Sequence, residues 1–317
     1  MSVPTAYLGV ILIWATTPLA IKWSAETGFL FGVTARMVIG AVLCFGFIAL
    51  LRVPFPWHRS ARQAYLAATL GVFGSMLCTY WGAQYIPSGF ISVLFGVTPF
   101  ATGIMAALWL GERFFSFVRL FGLVLGLIGL LLVFGAGIHL EGQAWLGITA
   151  VLVAALLHSA STVWIKRSGA QLHPVALNAG ALSIAVPLYL ATWYLFDGQV
   201  PHAVEPRSLW AIVYLGVFGT ALGFVLYFYV LRHLPAGVIA LITLISPVLA
   251  LFMGHWFNGE ALHALVWGGT SFIIVGLLCY QFGGRLLRVR SWREMAAALA
   301  AYRRGVGRRG APVRVRD

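Results

Sequence analysis

Ten apolar runs of about 20 residues fill most of the chain, at about 4–23, 29–51, 65–86, 88–110, 117–137, 143–165, 174–196, 208–231, 236–257 and 263–283. A helix needs about 20 such residues to cross the hydrocarbon core of a bilayer. Lipid offers a backbone no hydrogen-bond partners, so only helices and closed barrels span it. A barrel would show short alternating segments, and these runs do not alternate. Composition agrees, with 61% of the 317 residues hydrophobic, 9% charged and a mean hydropathy of +0.93. An ordinary soluble domain carries about 25% charged residues. A soluble chain of this composition could not cover its own apolar surface. The start, Met1-Ser-Val-Pro-Thr5, lacks the positive region of a signal peptide. It is read as the beginning of a first span that is retained. At Ile86-Pro87-Ser88-Gly89 two runs almost touch. Pro with Gly predicts a tight helical hairpin there rather than one long helix.

Charge placement orients the spans. With the N-terminus inside, the inner segments hold Arg52, Arg59, Arg62, Arg113, Arg119, Lys166, Arg167, Arg232 and the ten arginines after Gly284. The outer segments hold only Lys22 and Arg207, together with five of the eight acids. That is a strong positive-inside signal, and it places both termini in the cytoplasm. The net charge of +13 therefore reports topology. No soluble module is present to make it a nucleic-acid surface. In the tail, 284–317, Trp292, Met295, Leu299 and Tyr302 recur at steps of three and four. Such a stretch is either a basic amphipathic helix on anionic lipid or disordered. Cys44, Cys78 and Cys279 lie in apolar runs without metal or redox spacing.

The chain repeats itself. Pro87–Glu112 aligns without a gap on Pro235–Glu260, at an offset of 148: Pro87 on Pro235, Gly89 on Gly237, Pro99 on Pro247, Gly111-Glu112 on Gly259-Glu260. Upstream, Gly71-Val-Phe-Gly74 matches Gly216-Val-Phe-Gly219. Under the orientation above the Pro87 turn is outside and the Pro235 turn inside, so the halves are inverted. Five helices per half require that inversion, and inverted repeats characterise secondary transporters. The fold expected is all-α integral membrane, ten transmembrane helices as two inverted five-helix repeats, 1–137 and 138–283, with a basic tail at 284–317. Pro99 and Pro247 are expected to kink their helices, with Thr98 and Ser246 satisfying freed carbonyls. Gly122-xxx-Gly126 and Gly219-xxx-Gly223 read as packing seams.

Tyr80 through Gln84, Pro87-Ser-Gly89, Thr98-Pro99 and Gly111-Glu112-Arg113, with their second copy, resemble the EamA-type branch of the drug/metabolite transporter superfamily. The Trp14 region and Ala35-Arg36 resemble it too, and the likeness covers roughly residues 4–283. The resemblance implies a ten-helix transporter with a central cavity, mostly acting as a metabolite exporter. The long basic tail lies beyond that family's pattern.

Few residues within the spans can carry chemistry. No span holds a buried Asp or Glu, the usual carriers of protons or sodium. Arg36 lies about seven residues inside its span and can snorkel outward; its charge serves either structural pairing or a substrate anion. His158, with Ser161 and Thr162 on its helical face, is either a hydrogen-bonded structural residue or a substrate or proton site. Imidazole titrates near pH 6.5 in water. Candidate substrate-binding residues are Trp14, Thr17, Tyr80, Gln84, Ser92, Phe95, His158, Ser161, Trp164, Tyr227 and Thr243. Candidates for gating or coupling are Arg36, Glu112, His158 and Glu260; the two glutamates serve equally as caps at the interface. No Walker loop, zinc-protease motif or nucleophile elbow is present.

The expectation is a secondary transporter, not an enzyme, in a bacterial inner membrane, exporting small metabolites such as amino acids by alternating access. It uses no cofactor or metal and binds no nucleic acid; it works as a monomer or homodimer in the bilayer. Neutral or zwitterionic substrates are expected to outrun anions and organic cations. The alternative is an integral-membrane enzyme acting on lipid or isoprenoid substrates, which needs acidic or histidine clusters near an interface.

Overall fold

The computed structural model describes residues 2–111, 117–138, 142–201, 203–234, 242–259 and 264–286. Glu112, Glu141, Pro235, Glu260 and the tail stripe lie outside them, as do the side chains of Thr243 and Pro247. Among the described residues there are helices and no strand. We label them α1 (Val3–Ala25), α2 (Phe29–Leu51), α3 (Arg59–Ala83), α4 (Ser88–Leu110), α5 (Phe117–Ile138), α6 (Ala144–Ser168), α7 (Pro174–Phe196), α8 (Pro206–His233), α9 (Ile242–Asn258) and α10 (Ala264–Leu286). α1 to α4 and α6 to α8, seven helices, are long and apolar enough to cross a bilayer. α5 and α10 carry shorter apolar stretches, Leu120–Gly129 and Ala264–Cys279. The chain is a multi-pass helical membrane protein.

Local chemistry sets the helix ends. Ser2 accepts a hydrogen bond from the Thr5 N–H, and Pro4 occupies the first turn of α1. His58 caps α3 through the Ala61 N–H, so the helix starts at Arg59 rather than near residue 65. Its first turn exposes Arg59, Arg62 and Gln63 while burying Ala61, Ala64 and Tyr65, and hydropathy alone undervalues such a turn. The hairpin between α3 and α4 breaks at Pro87, whose extended backbone caps Ser88.

Lipid, not water, suits the outer surface. Leu8, Leu12, Leu50, Leu108, Leu131 and Leu195 are each at least 60% exposed. Tyr194, Trp210 and Trp256 stand out near helix ends, above 70% exposed, at the level where aromatic belts meet headgroups.

With lipid as apolar as leucine, helices associate through close packing rather than water exclusion. α5 and α10 are the clearest case. A Cβ on Gly276 would sit 2.5 Å from the Gly122 carbonyl oxygen and 2.6 Å from the Gly126 nitrogen. A Cβ on Gly129 would sit 2.5 Å from the Gly269 carbonyl oxygen. The two backbones touch, and Gly122 and Gly126 form the seam read from their spacing.

α3 and α8 share an irregularity. Each widens into a π-helical segment, Leu70–Ser75 and Leu215–Leu222, at the same five residues, Leu-Gly-Val-Phe-Gly. A π turn leaves backbone groups misaligned, and α7 answers both. The Tyr189 hydroxyl donates to the carbonyls of Val72 (2.9 Å) and Phe73 (3.0 Å), and the Asn178 amide donates to that of Thr220 (2.9 Å).

Candidate central cavity

The second π segment, through Gly219, and the break in α4 border one space. α4 is interrupted at Gly96-Val97, and a second helical segment starts at Thr98 with Pro99 in its first turn. Pro99 thus begins a helix instead of kinking one. The Thr98 carbonyl accepts from the Ser159 hydroxyl at 3.2 Å, while the Thr98 hydroxyl has no hydrogen-bond partner. On α9 the Ser246 hydroxyl does donate to the Ile242 carbonyl, at 2.7 Å.

Between α1, α2, α3, α4, α6, α8 and α9 lies a cavity of about 100 Å³. Trp14, Ile91, Phe95 and Phe224 supply apolar wall; Thr17, Thr79, Ser92, Thr98, Ser246, His158 and Arg36 supply the polar groups. A mainly apolar enclosure with a few placed polar groups is the usual form of a small-molecule site. His158 packs among rings, 5.9 Å from Trp14, 5.5 Å from Tyr227 and 6.2 Å from Phe95 between centroids. Its Nδ1 has no hydrogen-bond partner and lies against Gly71 of the first π segment.

Of the residues named from sequence, Trp14, Thr17, Ser92, Phe95 and His158 line this cavity. Three stand one layer behind. Tyr80, fully buried, shares a 2.9 Å hydrogen bond with Ser24. Tyr227 pairs with the Thr162 hydroxyl at 2.9 Å and packs 5.0 Å from Trp14. Ser161 packs against Gly71. Two lie elsewhere. Gln84 is exposed at the end of α3, donates to the Trp81 carbonyl, and borders a separate open cleft with Glu26 and Asp197. Trp164 is 38% exposed on the bundle surface. Met76, Thr79, Ile91 and Phe224, which the sequence reading does not name, also line the cavity, as does Gly219. Gly219 borders the cavity and leaves room for Arg36, whose Nη2 would lie 3.2 Å from a Cβ there, while Gly223 packs against Ile13 of α1.

Arg36 does not snorkel. It is 1% exposed, turned inward, with Nε donating to the Thr220 hydroxyl at 3.0 Å. Its guanidinium carbon lies 5.7 Å from the centre of the Tyr80 ring.

One end of the bundle is tied shut around the C-terminal end of α1. Lys22 Nζ donates to the carbonyls of Ala83 (3.0 Å) and Ile86 (2.9 Å), where α3 turns into α4. The Trp23 indole donates to the Asn258 side chain at 3.0 Å, and Ser208 donates to the Trp23 carbonyl. Arg207 pairs with both oxygens of Glu26 at 2.9 and 2.8 Å. That last pair is half exposed and contributes little on its own; the partly buried Lys22 bonds carry more of the closure.

The comparisons with known proteins agree with this architecture. A model of the EamA-like transporter family matches residues 3–135 and again residues 145–281. An uncharacterized transporter of Bacillus subtilis (strain 168), YoaV, is 28% identical over 279 residues, covering 87% of this chain and 95% of its own length. An uncharacterized inner membrane transporter of Escherichia coli (strain K12), YedA, is 24% identical over 285 residues, covering 88% and 90%. A solved crystal structure aligns with a TM-score of 0.65 at 20% identity, over 92% of this chain and 99% of that one, and so shares the fold. With the family model matched twice along a chain of membrane helices, this protein belongs to the EamA-like transporter family and is a membrane transporter.

Proposed function

We propose that the protein exports small amphipathic metabolites, amino acids first, by alternating access to the central cavity. The observation that carries this reading is the cavity itself, lined by rings and hydroxyls between seven helices, in a bundle tied at one end by the Lys22, Trp23 and Arg207 contacts. The architecture we assign is ten spans in two inverted repeats, 1–137 and 138–283, with both termini and the tail at 284–317 cytoplasmic. Two features support the inversion: the π segments carry the same five residues at matching places in α3 and α8, and the Pro87–Glu112 tract recurs at Pro235. In that orientation the tied end faces outward and the cavity awaits cargo from the cytoplasm. Membership in a transporter family weighs against the lipid-enzyme alternative.

Purified protein in vesicles tests the function. Radiolabelled leucine loaded inside is expected to leave faster than from protein-free vesicles, and unlabelled leucine is expected to slow that efflux. Equal efflux with and without protein, for leucine and for other small solutes, would remove the export reading. Orientation has its own test. In a background lacking Cys44, Cys78 and Cys279, Glu141→Cys is expected to react with an impermeant maleimide added to intact cells. Labelling only after permeabilisation would reverse the topology.

A further inference from the structure

We propose that Arg36 forms a carboxylate subsite in the central cavity, so that substrates are selected by a single carboxylate and the amino group is dispensable. The proposal rests on the transporter reading above and narrows its substrate class. Arg36 lines the cavity yet is 1% exposed. One of its donors, Nε, is used by Thr220; Nη1 is buried and has no hydrogen-bond partner. The Tyr80 ring 5.7 Å away offsets part of the charge but supplies no acceptor oxygen for Nη1. Among the described residues the only ion pair is Arg207 with Glu26, at the far end of α1. No acid lies within any of the ten apolar runs.

An uncompensated cation in a membrane protein's interior costs several kcal/mol even after relaxation. A counter-ion that arrives with the cargo removes that cost, and the planar guanidinium fork fits a carboxylate better than any other common anion of its size. The Thr98 hydroxyl, also without a hydrogen-bond partner, lines the same cavity and adds a second polar group for the cargo. The rest of the lining fits a short apolar body: Trp14, Ile91, Phe95 and Phe224. A phosphate dianion calls for more than one cation. An ammonium finds no acid on the described lining. An amine with no carboxylate of its own also meets a like charge.

The decisive experiment needs no mutation. Purified wild-type protein in detergent is heated with 4-methylpentanoate, 4-methylpentanamide, isoamylamine, leucine or acetate, and the ligand-induced rise in unfolding temperature is titrated. The acid and amide differ only in O⁻ against NH2. The acid is expected to half-saturate at a concentration about tenfold or more below the amide, as a charge-assisted bond implies. Leucine should follow the acid, isoamylamine should give no shift, and acetate should need more than the acid because it lacks the apolar body. Arg36→Gln is expected to erase the acid–amide difference and Arg36→Lys to shrink it. If Arg36→Gln does not fold, the wild-type pair still decides. An amide as effective as the acid, a stronger response to the amine, or no response to the acid would overturn the subsite. In those cases persistent solute flux in vesicles would leave the transporter reading standing, whereas absence of flux for every solute would count against that reading separately.

Discussion

Gly276→Ala is expected to lower the apparent unfolding temperature by about 4–5 °C, while Gly268→Ala on the same helix changes it by no more than about 1 °C. The first figure comes from overpacking, which costs about 1–3 kcal/mol in a filled interior. The upper end applies because the added methyl meets backbone, at 2.5 Å from the Gly122 oxygen and 2.6 Å from the Gly126 nitrogen. Backbone cannot rotate away as a flexible side chain can. Each kcal/mol shifts the transition of a chain this size by about 1.5 °C. Gly268 has open space where its Cβ would go, so the pair separates the seam from any general effect of replacing glycine in α10. Thermal scanning of both variants in one detergent is the measurement. Equal transitions for the two would show that α5 and α10 are not held by this contact.

The second large effect is on function. Ser92→Phe is expected to reduce vesicle flux by about tenfold or more, since lost cargo binding of about 1.4 kcal/mol already amounts to tenfold, with little loss of folded protein. Ser92 is 5% exposed and faces the cavity, where a phenyl ring would stand in the space that cargo has to enter. Ser271→Phe is the matched control: Ser271 is exposed on α10 and bonds only to its own helix, so the ring would enter lipid. Flux unchanged in Ser92→Phe, with wild-type insertion, would place the transport path somewhere other than this cavity.

These two sites differ in how far they could be read from sequence. The α5–α10 seam was visible at Gly122-xxx-Gly126, because small residues at a spacing of four mark a face that backbones approach. Ser92 was named as cavity-lining from sequence and lines the cavity. Gln84 was named on the same grounds and sits at an exposed helix end, in a different cleft. Trp164 is on the outer surface. Pro99 was expected mid-helix and begins a new segment after the break at Gly96-Val97. A proline removes a donor from the chain and leaves the carbonyl four residues before it, here that of Phe95, without its helical partner; the break at Gly96-Val97 falls between the two.

The sequence by itself determined that lipid is this protein's solvent and that its secondary structure is helical. It also revealed an internal repeat, down to the Leu-Gly-Val-Phe-Gly that becomes a π segment in both α3 and α8. Each follows from length, apolarity and local spacing, which need no knowledge of partners. Only the tertiary structure decided which way each helix is rotated. In water the apolar stripe of a helix marks its inward face. In a bilayer the outward face is apolar too, so that signal vanishes. Arg36 shows the consequence. Its depth in the span was plain from the sequence, and outward snorkelling was one permitted outcome. The packing of α2 against α8 instead turns it toward Thr220 and Tyr80, and a charge that might have met headgroups faces the cavity.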